Sequence, residues 1–142
     1  MAFWLLKTEP SNYAWSDLER DGQTVWDGIG NNLALKYVRQ MRPGDRALFY
    51  HTGKERQAVG IVEVVSEPYP DPHLDDPKRA VVDVRLARSL PRPVGLAQIK
   101  THHGETGNFE NFDLLKISRL SAVPVSEVHW QILLEMGGIE PE

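Results

Sequence analysis

The chain has 142 residues, 16 basic against 20 acidic side chains, a formal charge of −4 and no cysteine. That length suits one domain, expected to span 1–142 around a single core, and without cysteine there is no disulfide framework. The acidic balance argues against a protein that grips long nucleic acid by counterion release, and no apolar run approaches the roughly 20 residues that span a bilayer.

Phe3-Trp4-Leu5-Leu6-Lys7 reads as a strand that is apolar on both faces and therefore central, ended by Pro10 and Ser11. The residues before it carry no basic n-region, so no signal peptide is expected and the expected setting is cytoplasmic. Ser16, with Glu19 three residues on, has capping-box spacing and predicts a helix over 16–21, with Gly22 as its stop. Asn31 or Asn32 can cap the next helix, whose apolar face is Leu35, Val38 and Met41 and which Pro43-Gly44-Asp45 closes.

The middle is β-rich. Residues 47–50 and 58–65 read as strands joined by a hairpin connection at Thr52-Gly53-Lys54-Glu55, and 80–86 alternates like a third strand after a turn through Pro68, Pro70, Pro72 and Pro77. Residues 96–100 predict a short helix, 101–113 an irregular stretch, and 114–120 a return to extended chain. Ser126 caps a last amphipathic helix with Val128, Ile132 and Leu133 inward and Gly137-Gly138 as its stop. The sum is an α+β domain, mostly antiparallel, with a small curled sheet.

Trp26-Asp27-Gly28-Ile29-Gly30-Asn31 sets a large aromatic in a glycine-flanked turn just before a helix. A tryptophan there is suited to lining a pocket, where its flat face stacks on a planar ligand while free N–H groups of the turn meet polar edges. Lys7-Thr8-Glu9 ends the first strand, where it either faces a cavity mouth or marks the exit into solvent. Tyr50-His51-Thr52 poses the same choice, ligand contact or hairpin end. Lys36, Arg39, Arg42 and Arg46, followed by Lys54 and Arg56, form either a solvated face or a local phosphate contact.

His102-His103 lacks further ligands at helical or loop spacing, so no metal site is expected. Neither a Gly-x-Ser-x-Gly elbow nor a Walker loop is present, and Gly28-Ile29-Gly30 is only half of a dinucleotide fingerprint. No cofactor is expected.

Taken in order, Trp4 to Pro10, Trp26-Asp27-Gly28-Ile29 with Asn31, Gly44-Asp45, Phe49-Tyr50-His51, Tyr69-Pro70-Asp71-Pro72 and Ser118-Arg119-Leu120-Ser121 resemble an EVE domain over essentially the whole chain. The resemblance implies the fold of the PUA-like superfamily, a small mixed β-barrel, mostly antiparallel, decorated by several short helices. It also implies kinship with YTH domains, which read methylated adenine, and a part in reading modified bases, modified cytosines in particular, in DNA or RNA. By the same resemblance Lys7 and Thr8 match the Lys-Ser pair at the end of the first YTH strand. Trp26 matches a cage tryptophan, Asp27 and Gly28 follow it along the pocket, Asn31 matches a motif asparagine, and Tyr50-His51-Thr52 matches Tyr-His-Ser. Gly30 stands where the pattern usually has Arg, Leu35 where it often has a basic residue, and Val84 at the position of a second cage tryptophan.

The expected function is therefore a non-catalytic module that captures one modified nucleobase. Trp26 stacks on the base, Thr8, Asn31 and the turn backbone read its edge, and Lys7 and Asp27 set polarity. Tyr50, His51 and Thr52 complete the site, while Lys36 and Arg39 steady a flanking phosphate. Trp26→Ala is expected to abolish binding and spare the fold. One alternative is an amidohydrolase acting on a modified nucleoside through Lys7, Thr8 and Glu9, as in the related ASCH domains; a second is a nucleotide sensor acting through a partner protein. The oligomeric state is left open.

Overall fold

β1 (Phe3–Thr8) is central in the computed structural model, which describes residues 1–140: it pairs in parallel with β3 (Arg46–His51) on one side and antiparallel with β7 (Ala122–Val125) on the other. Trp4, Leu5 and Leu6 are consequently all buried, as the strand's apolar character on both faces predicts. β4 (Gln57–Val64) continues the sheet beside β3, β6 (Ala80–Gly95) pairs with β4, and β2 (Gln23–Trp26) forms the far edge against β6. The two-residue β5 (Tyr69–Pro70) pairs only with β6. Every pairing except β1 with β3 is antiparallel.

Among the described residues five helices decorate the sheet: α1 (Trp15–Asp21), α2 (Asn32–Gln40), α3 (Leu96–Thr106), α4 (Asp113–Lys116) and α5 (Glu127–Met136). Ala34, Leu35 and Val38 of α2 enter the core at helical spacing, and Met41 follows just past its end. Asp45 locks the turn behind it, accepting hydrogen bonds from the Ala2 and Arg42 N–H groups and from the Trp4 indole at 2.9–3.0 Å. A buried carboxylate is thereby matched by three donors.

Several boundaries depart from expectation, each through a contact that sequence spacing does not contain. α1 begins at Trp15, ahead of Ser16, because the Asp17 carboxylate accepts from the Ala14 N–H (2.8 Å) and His51 Nε2, from β3, accepts from the Trp15 N–H (3.0 Å). α3 continues through the expected irregular stretch to Thr106 and stops where Gly107 turns left-handed, at φ 70°. Residues 114–116 are helical where extended chain is expected, and Leu114 is buried in the same core cluster as Phe109 and Phe112. β6 runs nine residues past Leu86, and Val128 of α5 points to solvent, 66% exposed, while Trp130 and Leu133 face inward. β2 and β7 were not expected as strands.

Gly60 explains one irregularity of the sheet. A Cβ there would lie 2.3 Å from the Trp15 ring, so only glycine lets the indole of α1 lie flat on β4, where the register of β4 against both neighbours shifts.

Candidate functional site

The strand path β2-β6-β4-β3-β1-β7 has two ends, and among the described residues no pairing joins β2 to β7. A cavity of about 490 Å³ lies beside that seam. The end of β1 and the segment after it (Lys7, Thr8, Glu9, Asn12, Tyr13) form one wall, residues 24–29 form the other, and Ser121, just before β7, contributes to the lining. Its size falls within the roughly 300–1,000 Å³ typical of small-ligand sites.

Trp26 is only 6% exposed, because its ring meets Phe49 edge to face, yet it lines this cavity. Its indole N–H has no hydrogen-bond partner among the described residues, whereas no buried side-chain polar atom is left unsatisfied; that donor is therefore accessible. Tyr13 supplies a second aromatic wall that sequence reasoning missed. Its ring is tilted on Phe49 at 6.5 Å and its hydroxyl donates to Asp21 Oδ2 at 2.9 Å. Burial, foremost, raises the Tyr13 phenol above its ordinary value, so it stays protonated at neutral pH.

The edge of β2 adds main-chain groups. Leu86 N–H donates to the Gly22 carbonyl, so by antiparallel alternation Gly22, Thr24 and Trp26 exchange bonds with β6. The N–H and C=O of Val25 then point off the unpaired edge, and Val25 lines the cavity. After Trp26 the chain turns at Gly28, whose φ of 79° suits glycine, and Asp27 and Gly28 complete that wall.

Lys7 and Thr8, the last two residues of β1, and Glu9 just beyond it all line the cavity. Lys7 Nζ donates to the Ser118 carbonyl at 2.9 Å, and burial lowers its pKa. Thr8 Oγ1 donates to the Tyr13 carbonyl at 2.9 Å, which fixes the segment that carries the second aromatic. Glu9 accepts from Thr52 Oγ1 at 3.3 Å. With two acidic residues, Glu9 and Asp27, in its lining and the Lys7 ammonium bonded to the Ser118 carbonyl, the cavity suits a neutral polar ligand better than an anion.

The remaining candidate residues lie elsewhere. Asn31 caps α2, its Oδ1 accepting from the N–H groups of Leu33 and Ala34 at 3.0 Å, and is not part of the cavity lining. His51 is buried, holding the Trp15 N–H with Nε2 and Glu55 with Nδ1 (3.0 Å each). Tyr50 and Thr52 face a second cavity, of about 330 Å³, that shares Lys7 with the first. Lys36 and Arg39 lie on the outer face of α2, where an Arg39 Nη2–H donates to the Lys78 carbonyl at 2.5 Å. Leu35 and Val84 are core residues. At Gly30 the Arg79 guanidinium comes within 3.0 Å of where a Cβ would stand, so a cation from a distant segment occupies the neighbourhood of the missing arginine. Among the described residues no group of three metal-ligating side chains converges.

Besides Tyr13, sequence reasoning missed that Trp26 ends a strand, which brings Thr24 and Val25 into the same wall. The signal was present in Gln23-Thr24-Val25-Trp26, a β-prone run between two glycines.

A sequence model of the EVE domain matches residues 2–136. Thymocyte nuclear protein 1 of Gallus gallus is 33% identical over 168 aligned positions, spanning 97% of this chain and 69% of that protein. Human THYN1 protein, solved in complex with 5-methylcytosine-containing DNA, matches with a TM-score of 0.89 at 30% identity, covering 99% of this chain and all (100%) of the other. The YTH domain of Zygosaccharomyces rouxii MRB1 shares the fold at greater distance: TM-score 0.56, 14% identity, 99% of this chain and 89% of that one.

Proposed function

The chain belongs to the EVE domain family, and on that premise we propose that it captures one modified nucleobase, a modified cytosine, extruded from or carried in a nucleic-acid strand. The reading rests on one observation above the others: the accessible cavity against Trp26, with Tyr13 as a second wall and an unpaired strand edge beside them. The base slides between aromatic walls, with stacking contributing about 1–3 kcal/mol. The main chain of Val25 to Gly28, the Trp26 indole N–H and the Asp27 carboxylate offer donors and acceptors to its edge. Extruding a base from a duplex costs a few kcal/mol, so a modification that fills the hollow is what makes capture favourable. The human relative, solved with 5-methylcytosine-containing DNA, supports the choice of cytosine.

The test is a binding titration of single strands and nucleosides bearing cytosine, 5-methylcytosine, other cytosine derivatives and N6-methyladenine. Preference for a modified cytosine, weakened in Trp26→Phe and Tyr13→Leu, is the expected result. Equal affinity for modified and unmodified strands would overturn the reading.

Lys7, Thr8 and Glu9 meet at the same cavity, which keeps an amidohydrolase as the second reading. The Thr8 hydroxyl and the Glu9 carboxylate are, however, tied to Tyr13 and Thr52, an arrangement that favours holding over proton relay. Turnover of acetylated cytidine, lost in Lys7→Ala, would decide for the enzyme.

A further inference from the structure

The second cavity differs from the first in charge. Lys7, Arg56 and Lys100 all line it; among the described residues no acidic residue does, and the Glu9 carboxylate reaches only its edge, at Thr52 Oγ1 (3.3 Å) and Gly53. None of the three forms an ion pair among the described residues. The Lys7 ammonium is turned to this side: it is bonded to the Ser118 carbonyl and lies 5.9 Å from the centre of the Tyr50 ring, and both of those residues line the second cavity.

Two of the cations, Lys7 and Arg56, donate to backbone carbonyls. Arg56 adopts a left-handed conformation, φ 47°, unusual for a residue with a side chain. Its Nε donates to the Gly53 carbonyl at 3.2 Å, which leaves both terminal nitrogens free to face the cavity. Its own carbonyl accepts from the Leu96 N–H at 2.8 Å, and Lys100 stands four residues further along α3, on the same helical face. Arg56 is thus tied through its carbonyl to the first residue of the helix that carries Lys100. The Tyr50 hydroxyl makes no hydrogen bond among the described residues and is kept protonated by burial, so it adds a neutral donor.

We propose that this second cavity is an oxyanion subsite that receives a backbone phosphate of the nucleotide whose base enters the Trp26 cavity, with Lys7 as the shared wall. The inference rests on the base-capture reading and adds to it a place for the strand. Division of labour follows from the balance of charge: the cavity lined by Glu9 and Asp27 takes the neutral base, and the one lined by three cations, with Glu9 only at its Thr52–Gly53 edge, takes the anion. A guanidinium and two ammonium groups suit phosphate oxygens because charge-assisted hydrogen bonds are the strong ones. Neither Lys36 nor Arg39 lines this cavity.

The experiment titrates isotope-labelled protein with inorganic phosphate, 5-methyl-2′-deoxycytidine, and the 5′- and 3′-monophosphates of that nucleoside, in wild type, Arg56→Gln and Lys100→Gln. One of the monophosphates should bind about ten-fold more tightly than the nucleoside. Each variant should lose most of that gain while its affinity for the nucleoside stays unchanged. A monophosphate that gains nothing, or a gain that survives both substitutions, overturns the subsite. Should the nucleoside fail to bind, the base-capture reading falls separately. The inorganic phosphate arm then decides: saturable shifts of the Arg56 Nε–H and Lys100 signals uphold the oxyanion site, and their absence ends it.

Discussion

The indole of Trp26 meets the ring of Phe49 edge to face, centroids 5.4 Å apart at 77°, and the same phenylalanine carries Tyr13, Trp15 and His51 on its other contacts. Phe49, in β3, is therefore the shared floor under both aromatic walls of the cavity. A ligand-facing residue is at once a core residue.

That double role changes what truncation does. Trp26→Ala is expected to cost about 3–5 kcal/mol of stability, because it removes a buried aromatic from the core cluster. The expectation from sequence, that the fold would be spared, does not suit a side chain so enclosed. Trp26→Phe keeps much of the packing and should still weaken binding of a modified cytosine, by roughly ten-fold at most if stacking is the lost term. Urea denaturation and titration of the same samples separate the two effects; a Trp26→Phe protein with undiminished affinity would remove the indole from the site.

Asn31 offers a cleaner separation. Asn31→Ala should destabilise by about 1 kcal/mol, through loss of the cap on Leu33 and Ala34. Asn31→Asp retains an acceptor for those N–H groups and should restore stability in thermal melts. If it also binds the modified base as wild type does, the side-chain amide reads nothing.

His51→Ala leaves the Trp15 N–H buried without its acceptor, and a cost of about 1–3 kcal/mol follows. Base affinity, measured where the variant is fully folded, should be unchanged, since the imidazole does not line the cavity. A large drop in affinity with unaltered stability would reverse that assignment.

Gly60→Ala drives a methyl into the Trp15 ring, which is also held by the bond from its indole N–H to Ser89 Oγ at 3.0 Å. The ring has to shift, and overpacking of this kind costs about 1–3 kcal/mol. The denaturant midpoint should fall accordingly.

Tyr69 sets a response to alkali. Its hydroxyl donates to Asp83 Oδ1 at 2.5 Å, and that bond, ahead of burial and nearby negative charge, pushes the phenol up to about 12. The folded state then holds a proton that the unfolded chain releases from pH 10 upward. The stabilisation is complete below pH 10 and is lost as the pH rises through about 12. Tyr69→Phe should flatten that part of the stability curve, read as urea midpoints across the range; an unchanged slope would mean that the bond is not formed in solution.

Much of the architecture was legible because its determinants are local. The apolar run of β1, the spacing of Leu35 and Val38, the cap at Asn31 and the stop at Gly22 each depend on neighbours within a turn or two. Readings failed where a distant partner decided. α1 starts early because of a histidine thirty-six residues away in sequence, and residues 113–116 coil where Leu114 joins Phe109 and Phe112 in the buried core.

The same division holds for the site. Sequence alone determined that an aromatic turn, Trp26-Asp27-Gly28, would stand before a capped helix and that a lysine would end the central strand, since turn chemistry and strand composition are short-range matters. Only the folded chain decided that β2 is, among the described residues, an unpaired edge and that Tyr13 shares one cavity with Trp26. It also turned the Lys7 ammonium towards Ser118, 111 residues on. Those outcomes depend on how the two ends of a curled sheet approach each other, and no local pattern encodes that meeting.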